Sequence, residues 1–412
     1  MKALMKIRDF RLLWFGQATS SLGDAITNLA LLITAQRLTG SVTAVAATAI
    51  AIALPQLLVG MLAGVYVDRW DRRKVMIASD FVRGVLVLGF MFVSTPDRLW
   101  LMYAVAFLQA GVGTFFNPAR AALMPAIVGR DNLMAANSIS ESTRITFGVV
   151  GTAVAGVYAG VATSLAVLFV VDAATFIVSA ILEMRIRTSG RPPAAAEHHL
   201  WNELKAGLAV ITRTRPLVSV LVGAGVAMLG FGAVNVLIVP FVISDLGIAE
   251  SWFGAFEAAQ VVSMVAAGAL VAALAKKVKP AVVLAVGLLG VGGVLALFGG
   301  VQAGWQLVVL MFLIGWFITP VQASAHTILQ QEVAPEALGR AGAGFSTVAT
   351  TANVVSMALA GTAAALVGIR GVFVVSGILG AAAGLLTYSL NRTPASANAG
   401  LRALESTSST QG

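Results

Sequence analysis

Long apolar runs alternate along this chain with short, basic polar clusters. Leu38 to Val67, Ile145 to Val171 and Leu217 to Ser244 carry no charged residue, and neither do the 52 residues from Pro280 to Gln331. A helix that crosses a bilayer needs about 20 consecutive apolar residues. The last run is therefore long enough for two spans, and it divides at the GGVQAGW segment, residues 299–305. The pattern predicts twelve transmembrane helices, over 12–36, 43–67, 75–93, 99–116, 141–161, 164–184, 217–243, 252–275, 280–300, 305–326, 341–367 and 372–390. The runs are long and lack the period-two alternation of a membrane β-barrel.

Composition sharpens that reading. Of 412 residues 58% are hydrophobic and 11% charged, with no cysteine. A soluble domain carries about 25% charged residues. Disorder is excluded by the apolar content, and a disulfide scaffold or thiolate metal site by the missing cysteines. The net charge of +9 does not point to nucleic acid, because the cations sit in loops between apolar runs. Loops on the side of the termini hold 23 Lys and Arg, whereas the opposite side holds Arg37, Arg98 and Arg370. That asymmetry places both termini in the cytoplasm of a multi-pass protein of the cell (inner) membrane. No cleavable leader is expected, since the apolar stretch after the basic N-terminus is a full span without a small-residue cleavage site.

The longest polar interruption divides the chain. We expect an N-terminal six-helix bundle (1–184), a cytoplasmic linker (185–216), a C-terminal six-helix bundle (217–390) and a disordered cytoplasmic tail (391–412). Within the linker, Trp201, Leu204, Leu208 and Ile211 recur at helical spacing and read as an interfacial helix. His198 and His199 lack a third metal ligand nearby. The loops at 117–137 and 319–344 resemble each other. Pro118 matches Pro320, and Val128, Asp131 and Leu133 match Val333, Glu336 and Leu338 at a nearly constant offset, which supports a parallel duplication.

The segment GVYVDRWDRRKV, residues 64–75, resembles the signature loop of the major facilitator superfamily. Gly64, Asp68, Arg69, Arg72 and Arg73 fit it, while Asp71 stands where glycine is usual. FRLLWFGQATSSLGDA (10–25), FNPARAALMPAIVGRDNLMAANS (116–138) and PEALGRAGAG (335–344) look like the branch containing the enterobactin exporter and the macrolide efflux pumps. Two patterns depart from the superfamily. Ala106 occupies the place of the fourth-helix arginine, and Gly148 is followed by Val149 instead of proline. The resemblance implies an all-α major facilitator fold, secondary transport by alternating access, and a conformational latch at Gly64, Asp68, Arg69, Arg72 and Arg73. The same cations also serve as plain topogenic charge.

Ionisable groups within a bilayer are costly and mark candidate sites. Asp24 lies in the middle of the first helix and is the first candidate for proton coupling, the alternative being a structural carboxylate bonded to hydroxyls of facing helices. Glu257, with Gln260 on the same face, is the second, as a titrating site or a contact for cationic substrates. Asp80 and Arg83 are three apart and read as an intramembrane charge pair, mainly structural. Asp172 reads as an architectural hydrogen-bond partner. Glu141 and Arg144, also three apart, read as a gating pair. Thr27, Asn28, Gln109, Asn235, Gln260 and the Ser346, Thr350, Asn353 stripe are substrate-cavity candidates, with interhelical hydrogen bonding as the equal alternative.

No Gly-Lys dipeptide exists for a phosphate-binding loop, and no nucleophile–base set or metal cluster points to an enzyme. The expected function is export of a hydrophobic or amphiphilic drug or natural product, driven by proton antiport. Siderophore export, lysolipid flipping and a non-transporting membrane sensor are the alternatives. No cofactor and no metal are expected. The expected partners are a small-molecule substrate, protons and membrane lipid, with no nucleic acid, and the chain is expected to act as a monomer.

Overall fold

The computed structural model describes residues 4–191, 209, 212, 215–274, 278–333 and 337–392. Those residues are helical almost throughout, as the apolar runs require when no water is present to satisfy backbone polar groups. The first half comprises α1 (Arg8–Thr39), α2 (Val42–Leu58), α3 (Gly60–Arg69), α4 (Arg72–Val87), α5 (Leu99–Gly113), α6 (Phe116–Val128), α7 (Leu133–Val161) and α8 (Ala166–Met184). The second comprises α9 (Arg215–Pro240), α10 (Trp252–Leu274), α11 (Pro280–Leu297), α12 (Gly304–Glu332) and α13 (Leu338–Arg392).

Among the described residues, nine helical runs are long and apolar enough to cross a membrane. The remaining helices of the first half fail for local reasons. α1 carries Gln17, Thr19, Ser20, Ser21, Asp24 and Asn28 along its middle, and the run expected at 43–67 is broken at Val59 into two shorter helices. Pro55, which lacks a backbone donor, precedes that break by one turn. α13 has one interruption, at Gly368, whose φ of 75° and ψ of 162° divide it into two arms. That conformation is open to glycine and strained for other residues. The pattern predicts a loop over 117–137. It is instead largely helical, because α6 continues from the end of α5 and α7 starts at Leu133.

The two halves repeat one set of packings. α1 packs on α7 and α8, α4 on α8, and α2 on α5; α9 packs on both arms of α13, α11 on α13, and α10 on α12. Close approach is made through small residues, which lipid-embedded helices use to gain van der Waals contact. A β-carbon on Gly292 would lie 2.3 Å from the Ala381 nitrogen, and one on Gly377 2.5 Å from the Ala296 nitrogen. Large apolar side chains such as Phe92, Trp100, Val161 and Leu366 point outward, as a lipid-facing surface allows.

The halves meet through α7 with α10 and α2 with α13. At the end away from the termini this seam is tight. Arg37 Nε donates to Glu250 Oε1 at 2.9 Å, and Gln36 Nε2 to Ser244 Oγ at 2.7 Å. Gly254 lies against Ala153, and Gly361 against Thr43. At the terminal end of the molecule, Glu141 and Arg144 are more than half exposed.

Candidate functional site

Two cavities are stacked along α1 and α7. The first, of about 390 Å³, runs from Asp24 and Asn28 toward Arg120, Glu141 and Arg144, and its walls come from the first half alone. The second, of about 240 Å³, lies at the seam and is walled by Leu29, Leu32 and Thr152 of the first half and by α9, α10, α11 and α12. Asn28 and Gly148 line the first cavity; Leu32 and Thr152, one helical turn further along, line the second. The cavities therefore adjoin, the polar one toward the terminal end and the apolar one beneath the closed seam.

Asp24 faces the first cavity with its side chain 37% exposed, and its carboxylate is bonded by Arg83 Nη2. Arg83 is held in place by its surroundings. Its guanidinium lies 4.2 Å from the Phe176 ring centroid, a cation–π geometry, and it passes over Gly113, where a β-carbon would come within 3.2 Å of Nε. Arg83 Nη1 is 3.9 Å from Asp80 Oδ1. The expected Asp80–Arg83 pair is thus present as the longer of two contacts, and the tighter partner is Asp24, 59 residues away in sequence.

Behind this pair, Asp172 is fully buried on α8. It accepts from Thr175 Oγ1 at 3.2 Å and presses on α1 where Gly23 leaves room. Thr27, expected in the cavity, is instead buried and turned toward Asp172.

Glu257 and Gln260 both line the second cavity, as their spacing predicts, with Asn235 opposite. The aromatic residues Phe231, Phe253, Phe256 and Phe298 surround them. Among the described residues Glu257 has no ion-pair or hydrogen-bond partner. Asn28 and Gln109 line the first cavity as expected. Ser346, Thr350 and Asn353 line neither cavity. Asn353 lies against Gly232 of α9, and Ser346 is exposed. Of the three, Asn353 has the contact with another helix.

Glu141 and Arg144 form a bidentate pair at 2.5 and 3.0 Å at the mouth of the first cavity. In the signature loop, Arg69 is exposed, while the Asp68 side chain and the surroundings of Gly64 lie outside the described residues. The Arg72 backbone N–H donates to the Gly190 carbonyl at 2.9 Å. Arg73 donates to the Glu183 carbonyl at 3.3 Å and to that of Met184. In this state these two residues hold the start of the linker. The histidine pair, the interfacial-helix residues and the tail lie outside the described residues.

Two features of the site escaped the sequence reading. The aromatic wall was detectable, since Phe253, Phe256, Glu257 and Gln260 share one helical face. Glu183 is fully buried at the end of α8, and a census of acids in the apolar runs would have included it.

The sequence profile described as Major Facilitator Superfamily matches residues 13–231 and 220–410. Macrolide efflux protein A of Streptococcus pyogenes is 24% identical over 386 residues, covering 90% of this chain and 93% of that protein. The putative bacilysin exporter BacE of Bacillus amyloliquefaciens is 36% identical over 182 residues, 42% of this chain and 43% of that protein. Among solved structures, a bacterial homologue of the human lysosomal transporter Spinster, in an inward-facing and unoccupied conformation, superposes with a TM-score of 0.74 at 12% identity. It covers 93% of this chain and 97% of that one, which shows a shared fold. Two helical halves packed on one plan, a cavity at their seam and a profile matched across both halves make this chain a multi-pass membrane transporter, not an enzyme, and it belongs to the major facilitator superfamily.

Proposed function

We propose that this protein exports cationic amphiphilic small molecules across the cell membrane by proton antiport, with twelve spans and both termini in the cytoplasm. One observation carries the reading. Each of the two adjoining cavities holds a carboxylate away from its mouth, Asp24 paired with Arg83 in the polar cavity and Glu257 unpaired within aromatic walls. A lipophilic cation would lay its hydrocarbon body on Phe231, Phe253 and Phe256 and bring its charge to Glu257. The printed names of the relatives support the outward direction, and the split of 23 cations to 3 supports cytoplasmic termini. The end now open would then be the loading side. A proton arriving on Asp24 removes the charge that Arg83 holds, and each proton moved inward across 100 mV contributes about 2.3 kcal/mol from the voltage alone.

The test uses ethidium, a fluorescent lipophilic cation, in proteoliposomes with an imposed pH gradient. The wild type should concentrate it. Asp24→Asn should abolish uphill transport while keeping passive exchange, and Glu257→Gln should weaken ethidium binding about tenfold, or about 1.4 kcal/mol. An Asp24→Asn variant that pumps as the wild type does would refute the coupling role.

A further inference from the structure

On the far side of Arg83 from the cavity, the first half holds acids that the transport reading leaves unused. Asp80 and Glu183 are fully buried, and all four of their carboxylate oxygens lack a hydrogen-bond partner among the described residues. α4 and α8 run antiparallel here. Gly84 meets Ala173 and Phe176 at one level, and Arg73 meets the Glu183 carbonyl at the other. That crossing brings Asp80 beside Ser179, one turn from Glu183 on the same helix. Ser179 is itself fully buried and pressed against Gly16 of α1, and its hydroxyl completes no hydrogen bond. A buried hydroxyl between two buried carboxylates, with Arg83 no nearer than 3.9 Å to Asp80 and turned to Asp24, marks a place for a proton.

The surrounding charges say what the occupant is. Asp24 on α1, Asp80 and Arg83 on α4, and Asp172 and Glu183 on α8 face this region, so four carboxylates meet one guanidinium. Arg73 is engaged with main-chain carbonyls. Among the described residues no trio of acidic or histidine side chains is placed to hold a metal ion. An acid shut in an apolar interior takes up a proton where its counter-charge is committed elsewhere, and Arg83, 3.9 Å from Asp80, is bonded to Asp24.

We propose that Asp80, Ser179 and Glu183 form a second proton-holding site, buried between α1, α4 and α8 outside the transport cavity. It shares only Arg83 with the antiport reading. Arg83 bonds Asp24 and lies 3.9 Å from Asp80. When Asp24 takes a proton, Arg83 turns to Asp80. The Asp80 carboxyl then gives its proton through Glu183 to water at the surface that carries residues 69–74. One proton enters at Asp24 and one leaves at Glu183, so the charge of the half is unchanged.

The test is infrared difference spectroscopy of the full-length protein in liposomes, read in the carboxylic-acid C=O region. The wild type at neutral pH should show a protonated-carboxyl band that is lost in Glu183→Gln and in Asp80→Asn and displaced in Ser179→Ala. Asp24→Asn imitates protonated Asp24 and frees Arg83 for Asp80, so it should weaken the band, and this is read separately from the failure of ethidium pumping in that variant. The amide variants imitate the protonated acids and should melt with the wild type at neutral pH. As the pH is raised the wild type should lose stability, and Glu183→Gln should resist that loss. Identical carboxyl bands in the wild type and Glu183→Gln would overturn the proposal. So would protection of the wild type at alkaline pH by added sodium, which would identify a metal cation as the occupant.

Discussion

Breaking the seam at the closed end should tilt the protein toward the opposite state by a calculable amount. Arg37 bonds Glu250 across the halves at 2.9 Å, with side chains 27% and 14% exposed. Its other bonds, to the carbonyls of Ala159 and Ala162, stay within the first half. Only the carboxylate contact is lost when the halves part. Glu250→Gln keeps the shape and one acceptor but removes the charge. A charge-assisted bond is worth about 1.5–3 kcal/mol and about twice a neutral one, so the loss is about 1 kcal/mol after allowing for partial exposure. That shifts the equilibrium about fivefold toward the state open at this end. The absence of cysteine makes the assay direct. Spin labels on cysteines introduced at the exposed positions Thr163 and Gln302 should report a longer-distance population about five times larger in Glu250→Gln. A double-mutant cycle with Arg37→Gln should return a coupling of about 1 kcal/mol. An unchanged distance distribution together with zero coupling would refute the assignment of this pair as the seam.

Two further outcomes concern stability. Asp9 accepts from the Arg187 N–H, the Thr188 N–H and the Thr188 hydroxyl at 3.0, 2.8 and 2.7 Å. Burial raises the Asp9 carboxyl, but the bonds from Thr188 and Arg187 with the nearby Arg8 outweigh it and hold it below the usual range. Its contribution is therefore present above a pH of about 3.9 and lost as the pH falls through the lower folded value. Asp9→Asn should cost about 1 kcal/mol near neutrality and remove that acid-dependent step from a thermal-melting series. Gly292→Val should cost about 1–3 kcal/mol by forcing α11 off α13, whereas Gly293→Val, with open space around it, should melt like the wild type.

Much of this architecture can be read in the chain, for identifiable reasons. Charge-free runs and basic loops report the spans because lipid penalises every misplaced charge, and that signal is local. Asp24, Glu257 and Gln260 could be picked out because an acid or amide in an apolar run stands alone. The Asp24–Arg83 bond could not, since it joins helices 59 residues apart and depends on Gly113 leaving space for the guanidinium. For the same reason Arg83 was assigned to its near neighbour Asp80. Asn353 of the α13 stripe could not be placed from sequence because a polar helical face looks the same toward a cavity as toward another helix, and Gly232 lies against it. The helicity of 116–128 and 133–140 was hidden by prolines and charges that mark loops in water, yet Pro118 and Pro125 sit where α6 accommodates them.

The linker begins as part of the first half. Asp9 bonds Thr188, Arg72 bonds the Gly190 carbonyl, and Asp71 and Arg73 close in on Gly190. Residues Arg185 to Gly190 are therefore packed as part of the first half. Related genes should accordingly tolerate changes of length beyond Gly190 and resist them between Arg185 and Gly190. A gene divided after Gly190 should yield two chains that assemble when made together, whereas one divided after Met184 should leave the first half without the strap that ties α1 to α4.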